Sequence, residues 1–164
     1  MYPSSLMKQA EDTLDLCKAQ FTNLYTAESC TGGLLAGLLT EISGASDVFQ
    51  GAVVSYSNVL KSELLGVPNS LLERKGAVSH EVAEAMARGL IERVAHSHSS
   101  GLGISVTGIA GPTGGSKDKP VGLVYIGCAT TKAWAVRKFN FAGNRQEIRF
   151  QAIEQSLRFI QETI

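Results

Sequence analysis

The sequence lacks an excess of either charge. Fifteen lysines and arginines stand against fifteen aspartates and glutamates, so the formal net charge of the 164 residues is zero. Without a large field of one sign, the composition indicates neither nucleic acid nor an anionic membrane as a partner. Long apolar runs are also lacking, and none is long enough to span a bilayer. We therefore expect any anion binding to be local and expect no association with a membrane.

Cysteine is scarce as well. Cys17, Cys30 and Cys128 are an odd number at wide spacing, which favours neither a disulfide framework nor a paired-cysteine metal site. Reduced thiols are typical of cytoplasmic proteins. Glu11, Asp12 and Asp15 stand where a signal peptide would have its apolar core. The sequence therefore predicts a cytoplasmic protein.

Hydrophobic residues make up 44% of the chain, enough for one domain, residues 1–164, with its own core. The periodicity predicts the element order α β α β α α β β β α. Helices separate the early strands, which indicates parallel pairing, whereas the last three strands follow one another and require an antiparallel pair. We predict a three-layer α/β/α sandwich with a mixed sheet of about five strands.

The segment "TAESCTGG", residues 26–33, carries a predicted strand into a predicted helix. A helix N-terminus offers unpaired N–H groups and a positive dipole end, which stabilise an anion beside it. Ser29 is therefore either a helix N-cap or a nucleophile. Gly32 and Gly33 each cost a helix about 1 kcal/mol relative to alanine, which favours close approach of another group to the backbone.

Cys30 is a second candidate nucleophile in the same segment. A thiol at a helix N-terminus has a lowered pKa and becomes reactive. A lone cysteine beside a strand is, however, also common as a small buried hydrophobe. Both interpretations remain open from the sequence.

The segment "SYSNVLK", residues 55–61, follows the second predicted strand. The carboxyl ends of parallel strands gather at one edge of a sheet, so Tyr56 and Ser29 are expected at the same edge. Lys61, one helical turn further on, is either a solvated surface lysine or a partly desolvated base. Tyr56 is either a packing residue or a group that relays a proton.

The segment "SVTGIAGPTGGSKDKPVG", residues 105–122, begins at the end of the third predicted strand. Its glycines allow N–H groups to converge as an anion nest, although a flexible surface loop is the alternative. It lacks the spacing of a Walker loop, and a strand rather than a helix follows it, which excludes the dinucleotide fingerprint. Lys117 and Lys119 add positive charge to it.

Arg145 stands in the first turn of the last predicted helix, where the dipole disfavours a cation. That placement indicates a carboxylate or phosphate partner, unless the side chain is simply solvated. The histidines His80, His96 and His98 show no third ligand for a metal. We predict neither a metal site nor a Ser-His-Asp triad.

Five segments in order along the chain resemble a known family. They are "TAESCTGG", "VSYSNVLKSELLGV", "GAVSHEVAEAMARG", "SVTGIAGPTGGSKDKPVGLVYIG" and "FAGNRQEIRFQA". Together they are similar to the CinA C-terminal-domain family, the nicotinamide-nucleotide amidases, in its stand-alone form. The similarity extends over nearly the whole chain.

The resemblance implies hydrolysis of the carboxamide of nicotinamide mononucleotide, giving nicotinate mononucleotide and ammonia and recycling pyridine nucleotide toward NAD. It also implies an α/β/α domain, a homodimer and no cofactor. In longer relatives the domain follows a molybdopterin-binding-like domain with nucleotide pyrophosphatase activity, which we do not expect of this chain.

By motif position, the resemblance makes Ser29 the nucleophile and Lys61 its base, with Tyr56 assisting proton transfer. N–H groups at residues 31–33 would hold the oxyanion, and the glycine loop with Arg145 would hold the phosphate. The substrate-binding residues implied are Thr31, Gly32, Gly33, Asn58, Thr107, Gly108, Gly111, Gly114, Gly115 and Arg145.

Three alternatives remain open from the sequence. The same residues could act on another small nucleotide amide. The chain could instead be a nucleotide-binding regulatory or competence-related module without catalysis. A thiol amidase that uses Cys30 is the third.

Overall fold

The computed structural model describes residues 2–95 and 100–164. The strands are β1 Asn23–Glu28, β2 Phe49–Val54, β3 Gly101–Gly108, β4 Leu123–Thr130 and β5 Trp134–Asn140. The helices are α1 Ser4–Ala19, α2 Leu34–Thr40, α3 Asn58–Leu65, α4 Asn69–Lys75, α5 His80–Gly89 and α6 Arg145–Thr163. Among the described residues, no helix combines the length and the apolar character that crossing a membrane requires.

The five strands form one sheet in the order β2-β1-β3-β4-β5. Strand β1 pairs in parallel with both β2 and β3, whereas β4 pairs antiparallel with β3 and with β5. The predicted mixed five-stranded sheet is therefore confirmed. Because β1, β2 and β3 run in the same direction, their carboxyl ends meet at one edge, as the sequence predicts.

Helices cover both faces of this sheet. One core contains buried side chains of α1, α2 and α6, including Leu14, Leu38 and Ile153. The other contains side chains of α3, α4 and α5, including Leu65 and Met86. Alternate residues of each strand point to opposite faces, so β1 contributes to both cores. The three-layer sandwich is thus confirmed.

Helix starts in the chain are set by short polar side chains. Ser57 and Ser79 accept a hydrogen bond from the N–H three residues on, at the starts of α3 and α5. Asn144 opens α6 with a reciprocal capping box that includes Glu147. Helix α4, which follows Pro68, is absent from the predicted order; it has only seven residues and no side-chain cap.

Helix α2 begins at Leu34, so residues 31–33 form a turn before the helix. Gly32 and Gly33 have φ angles of 60° and 92°, in the left-handed region that glycine tolerates best. A Cβ on Gly33 would lie 3.5 Å from Val54 and one on Gly32 would lie 3.3 Å from Arg149. The glycine pair therefore serves the turn itself.

Helix α3 packs closely against α5 at one glycine, Gly89. A Cβ on Gly89 would lie 2.0 Å from the carbonyl oxygen of Leu65, so only glycine permits this approach. Leu65 ends the helix that carries Lys61, so the close contact lies one helical turn from that lysine.

We expect Gly89→Ala to lower the free energy of unfolding by about 1–3 kcal/mol, the usual cost of overpacking a core. The added methyl must push α3 away from α5. Urea unfolding followed by circular dichroism measures the change. An unchanged unfolding midpoint would contradict the close packing of these helices.

Candidate active site

Ser29 and Lys61 meet at the edge where β1 and β2 end. The Nζ atom of Lys61 lies 3.0 Å from the Oγ atom of Ser29. Ser29 follows the last residue of β1, and its N–H donates to Val106 of β3. Lys61 projects from α3 toward the end of β2. The chain therefore brings the predicted nucleophile and the predicted base into direct contact.

Lys61 is a buried lysine, with 1% of its surface exposed. Its Nζ also lies 2.8 Å from the carbonyl oxygen of Ser55 and 3.3 Å from that of Tyr56. A neutral amine has two N–H groups, which these carbonyls accept, and a lone pair, which is left for the hydroxyl of Ser29. The geometry therefore suits an amine that removes a proton from Ser29.

Burial lowers the pKa of Lys61 from its usual 10.5 to about 8. At pH 7 about a tenth of such an amine is neutral, compared with less than a thousandth for an ordinary lysine. The solvated surface lysine, one of the two interpretations left open by the sequence, is therefore wrong.

The segment after Ser29 is predicted to be a helix start whose N–H groups bind an oxyanion, but in the structure it is a turn. The N–H of Gly32 donates to the carbonyl of Ser29 at 3.1 Å, and that of Gly33 donates to the carboxylate of Glu28 at 3.0 Å. Two of the three predicted oxyanion donors are thus already bonded. Ser29 is also not the N-cap of α2, since that position belongs to Gly33.

A cleft of about 270 Å³ opens on the Ser29–Lys61 pair. Its walls come from the pair itself, from residues 77–78 just before α5, and from the glycine loop after β3. Eight predicted site residues line it: Ser29, Tyr56, Lys61, Thr107, Gly108, Gly111, Gly114 and Arg145. Five others lie outside its lining: Thr31, Gly32, Gly33, Asn58 and Gly115.

The open end of the cleft carries Arg145 and Tyr56. One guanidinium nitrogen of Arg145 donates to the carbonyl of Gly111 at 2.7 Å, and the other lies 3.3 Å from the hydroxyl of Tyr56. The phenol of Tyr56 is 62% exposed. The backbone carbonyl of Tyr56 therefore contacts Lys61, whereas the phenol hydroxyl of Tyr56 contacts Arg145.

The end of β3, next to Ser29, forms another wall of the cleft. The hydroxyl of Thr107 donates to the carbonyl of Ala77 at 2.8 Å, which joins β3 to the loop before α5. A Cβ on Gly108 would lie 2.8 Å from the carbonyl of Leu123, and one on Gly115 would lie 2.8 Å from the N–H of Val121. These two glycines are thus required by close backbone packing.

Cys30 is a poor nucleophile in this structure. It is buried, and burial raises the pKa of its thiol to about 12. The lowered pKa expected at a helix N-terminus is absent because α2 begins four residues later. Of the two interpretations of Cys30, the buried hydrophobe is therefore the one the structure favours.

The profile of the CinA C-terminal domain matches residues 6–164. The chain belongs to the CinA C-terminal-domain family. A CinA-like protein of Geotalea daltonii is 48% identical over 149 residues, which cover 91% of this chain and 35% of that protein. The chain thus spans about a third of the length of the curated relatives that it matches.

Solved structures of CinA-family proteins have the same fold. The competence/damage inducible protein CihA of Agrobacterium tumefaciens is 35% identical, with a TM-score of 0.92 over 99% of this chain and 97% of that one. A CinA superfamily protein of Escherichia coli is 28% identical, with a TM-score of 0.91 over 100% of this chain and 94% of that one.

Two charged residues near Ser29 in this CinA domain are not among the residues that the sequence predicts for the site. The carboxylate of Glu28 is buried and accepts three N–H groups of the α2 start. Arg149 of α6 donates to the carbonyl of Thr31 at 2.6 Å. Both had a signal, since Glu28 follows Leu24 and Thr26 at buried-face spacing and Arg149 lies one helical turn after Arg145.

The sequence suggests that two lysines add positive charge to the glycine loop as an anion site, but these lysines do not line the cleft. Lys119 donates from its Nζ to the backbone carbonyl of Lys75, and neither Lys117 nor Lys119 lines the cleft. Among residues 2–95 and 100–164, no three side chains of the metal-binding types cluster. His80 starts α5, while His96 and His98 lie outside the described residues.

The lowered pKa of Lys61 predicts a pH dependence of stability. Because the folded pKa, about 8, lies below the unfolded value of 10.5, the unfolded chain binds more protons between these two pH values. The free energy of unfolding of the wild type, minus that of Lys61→Met, should therefore rise from about pH 8 to 10.5. Urea unfolding at several pH values measures this difference, and a flat difference would contradict a depressed pKa.

Proposed function

We propose that this CinA domain hydrolyses the carboxamide of nicotinamide mononucleotide, with Ser29 as nucleophile and Lys61 as base. The proposal rests on one observation above all: a buried amine lies 3.0 Å from a hydroxyl at the floor of a cleft. A serine activated in this way attacks acyl groups. The family resemblance supplies the substrate.

The reaction follows from that geometry in two stages. Neutral Lys61 takes the proton of Ser29 as Oγ bonds to the carboxamide carbon, and the carbonyl becomes an oxyanion. The protonated amine then gives this proton to the departing nitrogen as the C–N bond breaks, which releases ammonia. Water, deprotonated by Lys61, attacks the acyl-enzyme and releases the carboxylate and the free serine.

The oxyanion needs hydrogen-bond donors that are free for it. The N–H groups of Gly32 and Gly33 are bonded within the turn. We assign the role to the N–H of Cys30, in the peptide that follows the nucleophile, because Cys30 lines the cleft beside Ser29. Each such donor contributes about 3 kcal/mol of transition-state stabilisation.

The nucleotide would lie toward Arg145. In the structure this guanidinium bonds only to neutral acceptors among the described residues, a carbonyl and a phenol, so its charge is uncompensated. A phosphate dianion would supply the missing charge by charge-assisted hydrogen bonds. Gly111 and Gly114 of the loop line the same end. The mechanism uses no cofactor, and the homodimer and the cytoplasmic location remain predictions.

Ser29→Ala should lower kcat by several orders of magnitude while the nucleotide still binds, because the hydroxyl forms the covalent bond. Ammonia release from nicotinamide mononucleotide measures turnover, and calorimetric titration measures binding. Ser62→Ala changes the serine that directly follows Lys61 in α3; it is the matched control and should behave as the wild type. Full activity of Ser29→Ala would refute the proposed nucleophile.

Arg145→Ala should raise KM for the mononucleotide roughly 10- to 100-fold, the value of a charged hydrogen bond, with a much smaller change in kcat. Free nicotinamide, which lacks the phosphate, should react equally poorly with variant and wild type. Arg158→Ala, at the far end of the same helix, is the control. An unchanged KM would place the phosphate elsewhere and favour a different nucleotide amide.

A further inference from the structure

Glu28 is a buried carboxylate directly before the proposed nucleophile. One oxygen accepts the N–H groups of Gly33 and Leu35 at 3.0 and 3.1 Å, and the other accepts that of Ala36 at 2.8 Å. All three donors belong to the start of α2, whose N–H groups have no partner within the helix. The side chain thus reaches five to eight residues forward from the end of β1.

The carboxylate closes the turn that carries Ser29. Residues 28 and 33 are joined by this hydrogen bond, and the N–H of Gly32 donates back to the carbonyl of Ser29 inside the loop. The left-handed glycines allow the chain to fold around the carboxylate. On the opposite side, the main chain of Glu28 accepts the N–H of Ser55, next to the carbonyl that holds Lys61.

Glu28 cannot act on the substrate directly. Both its oxygens are bonded to helix N–H groups, it is fully buried, and it does not line the cleft. Its influence must therefore pass through the turn. A misplacement of about 1 Å in a reacting atom can lower a rate by roughly 100-fold.

We propose that Glu28 is a positioning residue that holds the hydroxyl of Ser29 in line with Lys61 by closing the turn after the nucleophile. This inference rests on the proposed role of Ser29. A plain helix cap would affect stability alone, whereas a positioning residue also sets the reactivity of the serine in the folded protein.

The variant Glu28→Gln tests this difference. Glutamine has the same shape but only one acceptor oxygen, so its NH₂ must face a helix N–H and at least one of the three bonds is lost. Reaction with a small fluorophosphonate reports the reactivity of Ser29 without any amide substrate. In that reaction an Oγ–P bond forms, fluoride leaves, and the serine proton goes to Lys61.

We expect Glu28→Gln to lower the maximal labelling rate of Ser29 roughly 10- to 100-fold, with the half-saturating reagent concentration nearly unchanged. Circular dichroism confirms folding at the assay temperature. Glu41→Gln, an exposed glutamate at the other end of α2, is the matched control and should label as the wild type. A folded Glu28→Gln that labels as fast as the wild type would overturn the inference.

If Glu28→Gln does not fold, Glu28→Asp decides the question. Aspartate keeps the charge but draws the carboxylate back by about 1.5 Å, one C–C bond. Slower labelling of this variant supports positioning, and wild-type labelling overturns it. Failure of the wild type itself to label at Ser29, detected by mass spectrometry of the peptide, would instead remove the proposed function together with this inference.

Discussion

The burial of the Lys61 amine is the constraint on which the chemistry available to the site depends. Lys61 comes from a short helix that Gly89 allows to approach α5, and its Nζ ends between two strand-end carbonyls and the hydroxyl of Ser29. In such surroundings a charged ammonium is disfavoured, while the neutral form keeps both its N–H groups bonded. Burial at the sheet edge therefore favours the neutral form of this amine.

The two ends of the cleft are built for different tasks. Ser29 and Lys61 are buried and take their positions from strands, from the carboxylate of Glu28 and from helix packing. Arg145 and Tyr56, by contrast, are exposed and contact each other across a glycine loop. Low polarity at the closed end suits proton transfer, whereas access to solvent at the open end suits capture of a charged ligand.

The sheet edge could be predicted from the sequence, because intervening helices imply parallel strands whose ends gather together. The burial of Lys61 could not, since its partner Ser29 lies 32 positions away and meets it only in the folded chain. The contacts of Glu28 could not be predicted either, because its partners lie up to eight residues ahead, across a turn. For Gly32 and Gly33, the sequence predicts close approach of another group to the backbone; Arg149 does approach Gly32, and the φ angles of both residues add a turn requirement that the sequence does not reveal.

Burial also explains why a serine, and not the adjacent cysteine, suits this site. Desolvation disfavours whichever form carries charge, so it raises the pKa of a thiol and lowers that of an amine. Cys30 is shifted to about 12, away from the thiolate that would react, and Lys61 to about 8, toward the neutral base. One low-polarity environment thus disfavours a thiolate at Cys30 and favours a neutral amine beside the hydroxyl of Ser29. A thiol mechanism would require the opposite environment, with a cation or a helix N-terminus directed at Cys30.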